Sequence, residues 1–361
     1  MKNKLFIVGC VGIPACYGGF ETFAENIALE LSSIFDVSVL CSTQYYPTKN
    51  RENTWKSIKR IFITPRPNGF WSLFYDLEGL LLAAKDSEYI LLLGAGSGLF
   101  LSFIRSLKSR HLLVHVDGLE WKRAKWNVFT RYFLRMSYKA CLHQAKTIIL
   151  DNVALHKYVP VKYSKKVVLV NYGGNHLPQL SDCISPVDYS YALVIARAEP
   201  ENNLHRILKV FRDNKNLKII LISNWVNTRY GKKLYNSFSH IAGITMIDAI
   251  YDSPLLLQQY RMNCSVYIHG HSAGGTNPSL VEAMYTGVPI IAWDNEFNRN
   301  TTNNLALYFG SERELAQHLK YLNHADCLEQ AKKLQNFAKQ NYTWNIAAQR
   351  FLTSIGVIKS D

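Results

Sequence analysis

The sequence predicts an α/β protein made of two doubly wound, Rossmann-like parallel-sheet domains. Three observations carry that expectation. Short β-branched or leucine-rich runs alternate with longer amphipathic ones. The series restarts after a stretch rich in Gly, Pro, Asn and Ser near the middle of the chain. And 361 residues are too many for one simple core but suit two domains of ordinary size.

In the first half the strand candidates are residues 5–8, 37–41, 60–63, 89–93, 111–115, 147–150 and 167–170, with helices expected over 21–34, 70–84 and 126–145. A second series of strands follows at 191–196, 218–223, 244–247, 265–269 and 289–293. The break runs from Asn171-Tyr172-Gly173-Gly174 to Pro186, so the expected domains are 1–178 and 179–340. Residues 341–361 form a terminal segment whose helix puts Trp344, Ile346, Ala347, Phe351 and Leu352 on one side, suited to crossing back onto the first domain.

A composition of 48% hydrophobic and 19% charged residues is that of a globular protein. Seven cysteines are scattered without a CxxC pair, which points to reduced thiols in a cytosol and away from a zinc site or disulfide frame. The opening MKNKLFIVGC has an apolar run too short for a signal sequence and reads as a first buried strand. No stretch supplies the roughly 18 apolar residues of a spanning helix. Net charge is +14, and it is uneven: residues 1–178 hold 23 Lys+Arg against 12 Asp+Glu, or +11, and the rest hold 18 against 15, or +3. A basic half can serve nucleic acid, an anionic membrane or a phosphorylated substrate. The cations of residues 125–146 interleave with Trp126, Phe129, Tyr132, Phe133, Leu134 and Met136 without forming a basic stripe. That pattern argues against nucleic acid and suits either a helix on an anionic bilayer or a core helix with a solvated basic face.

The richest stretch is 269–294, HGHSAGGTNPSLVEAMYTGVPIIAWD. Asn277 suits an N-cap, Pro278 a first helical position and Gly287 a helix end. The loop Gly274-Gly275-Thr276-Asn277 then faces an anion with backbone N–H groups at the positive end of a helix dipole. Glu282, one turn deeper, leans back toward that anion and suits the two hydroxyls of a ribose. An ordinary capped helix with a solvated Glu282 is the alternative. Arg197 ends the first strand of the second series, where a guanidinium can clamp a diphosphate. His269 and His271 have no third clustered ligand, so polar contacts are expected there and not a metal.

In the first half, the loop from Gly12 to Thr22 contains Gly18, Gly19 and Glu21 at a strand's carboxyl end, where it can hold an anion or serve as a turn. Gly94-Ala95-Gly96-Ser97-Gly98 has Leu99 where a dinucleotide fingerprint needs glycine, which excludes a nicotinamide domain. His115 to Arg123 gathers Asp117, Glu120, Trp121 and Lys122 at another strand end. There Asp117 can orient a hydroxyl or act as a base, Trp121 can stack on a pyranose, and Lys122 or Arg123 can meet phosphate. A helix-start charge cluster explains the same residues.

GGTNPSLVEAM with GVPIIAWD, ARAEPENN around Arg197, YGGFETFAENIALEL, DGLEWKRAKW and YTWNIA together resemble retaining family 4 glycosyltransferases of the GT-B fold, nearest the bacterial rhamnosyltransferase-like subgroup. The resemblance implies two Rossmann-like domains facing across a cleft, with a nucleotide-sugar donor on the second and the acceptor on the first. It implies donor contacts from Arg197, His271, Gly275, Thr276, Asn277 and Glu282, the last on ribose, and an acceptor or cleft loop drawn from Gly18, Gly19, Glu21, Glu120, Trp121 and Lys122. The first Glu of the family's E-x7-E motif falls on Gly274, its usual Lys falls on Asn202, and its cleft His on Asp117. Asp117 and Arg197 are therefore the candidate catalytic pair.

The expected activity is transfer of a hexose, L-rhamnose from dTDP-rhamnose, onto a lipid-linked glycan during surface polysaccharide synthesis. No metal or other cofactor is expected, and the place of action is the cytoplasmic face of the plasma membrane. A sugar-nucleotide epimerase of the same architecture, and a non-catalytic donor- or membrane-binding subunit, remain as alternatives.

Overall fold

A computed structural model describes residues 2–116, 118–123, 126–180, 184–320, 322 and 324–359. By internal contacts the chain divides into two units, one of Met1–Lys122, Trp126–Tyr172 and Trp344–Asp361, the other of Arg123–Lys125 and Gly173–Thr343.

The first unit opens with β1 (Lys4–Val8), α1 (Gly19–Leu31) and β2 (Asp36–Ser42). It continues through β3 (Thr54–Trp55), β4 (Ile58–Ile63), α2 (Ser72–Asp86), β5 (Tyr89–Leu93), the short α3 (Gly98–Leu101), β6 (His111–His115), α4 (Val128–Gln144), β7 (Thr147–Leu150) and β8 (Val167–Leu169). The sheet order is β3-β4-β2-β1-β5-β6-β7-β8, parallel throughout except for the β3–β4 hairpin. Leu5, Ile7, Val8, Leu91, Leu92, Leu113 and Ile149 are fully buried, as expected of parallel strands covered on both faces. α1 buries Phe23, Ala24, Ile27, Ala28 and Leu31, a three-and-four spacing that lays one face on the sheet.

The second unit contains β9 (Ala192–Ile195), α5 (Leu204–Asp213), β10 (Ile219–Ser223), α6 (Arg229–Phe238), β11 (Ile244–Asp248), α7 (Pro254–Asn263) and β12 (Val266–His269). After these come α8 (Pro278–Thr286), β13 (Ile290–Trp293), α9 (Glu296–Thr301), β14 (Leu307–Phe309), α10 (Glu312–Lys320) and α11 (His324–Asn341). Its six strands run parallel in the order β11-β10-β9-β12-β13-β14. The core between β9, β10, β12 and the inner faces of α5 and α6 is filled by Val194, Ile207, Phe211, Leu221, Trp225 and Ile268. The final helix, α12 (Trp344–Ser354), belongs to the first unit, where the Trp344 ring lies 5.9 Å from Phe23 and 6.2 Å from Tyr172.

The fold is the doubly wound α/β arrangement expected, and every expected strand forms within a residue or two of its expected ends. Two edge strands, β3 and β14, were not anticipated, because two or three residues are too few to show a period. The helix expected over 126–145 begins at Val128, since the Asn127 side chain caps it by accepting from Thr130 N. No helix among the described residues is long and apolar enough to cross a membrane.

Candidate active site

In an open α/β sheet, ligands bind outside the carboxyl ends of the strands where the strand order reverses. In the second sheet that reversal lies between β9 and β12, so the two loops that matter are residues 196–203 and 270–277. Side-chain amides stitch them together. Asn202 Nδ2 donates to the Arg197 carbonyl at 2.8 Å, and Asn203, in the left-handed region at φ 52°, sends its Nδ2 to the Gly270 carbonyl at 2.9 Å. Both the N–H and the hydroxyl of Ser272 donate to the Glu201 carbonyl at 2.8 Å. Asn295 and Asn298 hold the His271 carbonyl from α9, each at 3.0 Å. A Cβ at position 270 would stand 2.2 Å from the Asn202 carbonyl oxygen, so only glycine allows this approach. Arg197 is thus an exposed cation on a fixed loop.

The start of α8 is built as its residues predict. Asn277 accepts from Ser279 N at 3.1 Å and from the Ser279 hydroxyl at 2.8 Å, Pro278 is the first helical residue, and Gly287 ends the helix in the left-handed region. Gly274 has φ +120°, with open space where a side chain would be. Among the described residues no protein acceptor takes the Gly274 or Gly275 N–H, so this helix entrance retains donors at its positive end. The Thr276 hydroxyl is buried and faces the Thr301 hydroxyl at 3.3 Å.

Two imidazoles stand beside this entrance. His269 and His271 stack at 4.2 Å with planes 9° apart. Burial holds His269 down at about 3. His271 is held well below the usual range by burial first, then by His269, Arg197 and Arg123. Both rings are therefore neutral near pH 7. Among the described residues no three His, Cys, Asp or Glu side chains gather as a metal site.

Glu282 differs from expectation. The lean of helical side chains predicted a carboxylate beside the anion loop, but Oε2 pairs with the Arg261 guanidinium from α7, and Oε1 lies 3.5 Å from His176 Nε2. Burial pushes the Glu282 carboxyl up, yet Arg261 and the His176 hydrogen bond outweigh it and bring the net value below the usual carboxylate range. Arg261 is 4% exposed. A desolvated guanidinium one helix away is a strong partner for the carboxylate.

The first sheet reverses between β1 and β5, and the Gly12-to-Thr22 loop leaves β1. Gly18 is the extended N-cap of α1, and Gly19 its first residue. Glu21 is buried and accepts from Val11 N at 2.8 Å, so it folds the loop back onto the helix. Glu120 accepts from Trp126 Nε1 at 3.4 Å, the Trp121 ring packs 4.4 Å from Tyr138, and Lys122 donates to the Tyr158 hydroxyl at 3.0 Å. All three are part of the wall around α4. Asp117 lies outside the described residues. His115, next to it in sequence, is fully buried against Phe20 and Phe23 at 5.4 and 5.0 Å, and burial brings it to about 4. Sequence reasoning missed Arg261, His176 and Glu201, which carry no local motif.

Residues 184–343 match the family of group 1 glycosyl transferases, and residues 2–175 match a domain of unknown function, DUF1972. Among solved structures, sucrose-phosphate synthase of Thermosynechococcus elongatus is similar at 16% identity and a TM-score of 0.79, covering 97% of each chain. HepE of Anabaena in complex with UDP-glucose is similar at 14% identity and 0.76, covering 98% of this chain and 100% of that one. A glycosyltransferase of Rickettsia africae is similar at 12% and 0.68, covering 100% of both. No curated protein matches. The group 1 match makes the chain a glycosyltransferase, and the structural neighbours share its GT-B fold of two Rossmann-like, parallel-sheet domains.

Proposed function

We propose that this glycosyltransferase of the GT-B fold transfers a hexose with retention, as family 4 enzymes of the rhamnosyltransferase-like subgroup do, from a nucleotide-sugar donor onto a lipid-linked glycan. The observation that carries the donor half is the stitched pair of loops at the β9/β12 reversal. It sets Arg197, His271 and the unengaged N–H groups of Gly274 and Gly275 around the entrance of α8. A diphosphate there meets a cation, backbone donors and a helix dipole. HepE, bound to UDP-glucose, offers a precedent for such a donor on this fold.

In the proposed reaction the bond between the sugar C1 and the leaving diphosphate oxygen breaks as the acceptor oxygen bonds to C1 on the same face. The acceptor proton passes to that leaving oxygen. Negative charge grows on the diphosphate, so Arg197 and the loop donors lower the barrier by stabilising it, and a metal cofactor is not required. Asp117 is assigned to acceptor or sugar recognition, and Gly18, Gly19, Glu21, Glu120, Trp121 and Lys122 to the acceptor loop. The sugar we assign is L-rhamnose from dTDP-rhamnose, on the motif resemblance, and the product feeds surface polysaccharide synthesis.

The acceptor half is supported by α4. Val128, Phe129 and Tyr132 are 77%, 87% and 68% exposed in its first two turns, and Arg131, Arg135 and Lys139 are exposed along the same helix. Exposed apolar side chains beside cations suit peripheral binding to an anionic membrane at its cytoplasmic face, where a lipid-linked acceptor is held.

The test incubates the purified protein with dTDP-, UDP- and GDP-hexoses, with and without membrane extract. Transfer of label into a lipid-extractable glycan, with the anomeric configuration kept by NMR, is expected. Arg197→Ala should lower it about 10²–10³-fold. Isomerisation of donor without acceptor, or transfer that survives Arg197→Ala unchanged, refutes the reading.

A further inference from the structure

Glu201 sits in the 3-10 turn Pro200–Asn202 that follows β9. Its side chain is 9% exposed, and neither carboxylate oxygen has a hydrogen-bond partner among the described residues. The nearest cation, Arg123 Nη1 in the same contact unit, is 3.7 Å away, beyond hydrogen-bond reach. A carboxylate buried without hydrogen bonds is costly unless donors reach it. The neighbouring residues share the deficit. Through its carbonyl Glu201 holds Ser272, which follows His271, and the Nδ1 of His271 and both ring nitrogens of His269 are buried without partners.

The ligand that satisfies such a set is defined by chemistry. A carboxylate accepts and never donates when ionised, while a neutral imidazole accepts at one nitrogen and donates at the other. A phosphate would be repelled by Glu201, and Arg197, four residues earlier, already suits that charge. A group bearing several hydroxyls fits, because two adjacent hydroxyls can donate to the two carboxylate oxygens while a third meets an imidazole.

We propose that Glu201 is the sugar-selecting residue of the donor site, accepting from vicinal hydroxyls of the hexose. The assignment rests on the reading of this site as one for a nucleotide sugar. It gives the carboxylate role to the β9 loop, whereas Glu282 is committed to Arg261.

Calorimetric binding of UDP, dTDP and GDP, and of UDP-glucose, dTDP-rhamnose and GDP-mannose, tests it on the full-length protein. For whichever conjugate the wild type binds, Glu201→Gln should raise Kd about ten- to a hundredfold and leave the Kd of the matching nucleoside diphosphate within about threefold. Equal weakening of both, or no change in either, overturns the Glu201 assignment and leaves the proposed function standing. A wild type that binds no member of the panel overturns the proposed function and this assignment with it. Should Glu201→Gln fail to fold, fluorinated donors answer on the unaltered protein. Loss of affinity at two adjacent ring positions is expected, and equal affinity at every position overturns the proposal.

Discussion

Removing Arg261 isolates what holds α8 in place. In Arg261→Met the Glu282 carboxylate keeps its burial and loses its principal counter-charge. Breaking a buried pair from one side costs about 3–5 kcal/mol, because the remaining charge is left desolvated. The wild-type carboxyl lies below its ordinary value, so its stabilising contribution is present above about pH 4.5 and fades as pH falls through the folded value. In the variant burial acts against only the His176 contact and raises the carboxyl above its unfolded value. The deficit relative to wild type should therefore be largest near pH 7.5 and shrink as pH falls toward 5, where a proton replaces the lost guanidinium. Replacing both partners, Arg261→Met with Glu282→Met, should recover most of the loss, since two apolar side chains leave no orphan charge. Hydrogen exchange of peptides from α7 and α8 reports this unit alone and gives the local opening free energy. A deficit under about 1 kcal/mol at pH 7.5, or one of equal size at both pH values, refutes the buried-pair reading.

Other outcomes follow from the same geometry. His115 and His269 are held by burial at about 4 and about 3 against an ordinary 6.5. Their neutral-form stability is complete above pH 6.5 and lost as pH falls, by about 3 kcal/mol for each between pH 6.5 and 4; a Tm unchanged from pH 7 to 5 contradicts this. Gly270→Ala places a Cβ 2.2 Å from the Asn202 carbonyl oxygen and 3.0 Å from Ile207 Cδ1. It should cost about 1–3 kcal/mol and abolish donor binding by displacing the 270–277 loop, and calorimetry that shows unchanged affinity refutes it. Phe129→Ser with Tyr132→Ser alters only exposed side chains, so Tm should hold while flotation with anionic liposomes is lost; equal flotation of variant and wild type removes the membrane role.

The parts legible in the sequence were those written in contiguous residues. Twelve strands could be seen because parallel strands covered on both faces are uninterrupted apolar runs, and the α8 entrance because Asn277, Pro278 and Gly287 each demand a particular backbone state. The parts that were not legible depend on partners far away in the chain. Arg261 occurs in PLLLQQYRMN, a helix whose pattern gives no sign that one cation points inward, and its partner Glu282 comes 21 residues later. Glu201, in AEPENN, reads as a solvated turn residue until Ser272 and Arg123 are found against it. Trp121 and Lys122 read as ligand contacts from their strand-end position, and only the folded chain shows that Tyr138 and Tyr158 hold them in place.

The placement of α12 bears on how the protein is made. Residues 2–172 contain all eight strands of the first sheet, yet the surface of α1 that receives Trp344 stays uncovered until residues 344–354 have been synthesised. The segment 173–343, a whole sheet with its own core, is translated in the interval. At about 5–20 residues per second a nascent first unit waits roughly ten to thirty seconds with Phe23 and Tyr172 unsealed. The half of the protein that is begun first is thus the half that is finished last, and a product truncated after Thr343 would have an intact second unit and an open flank on the first.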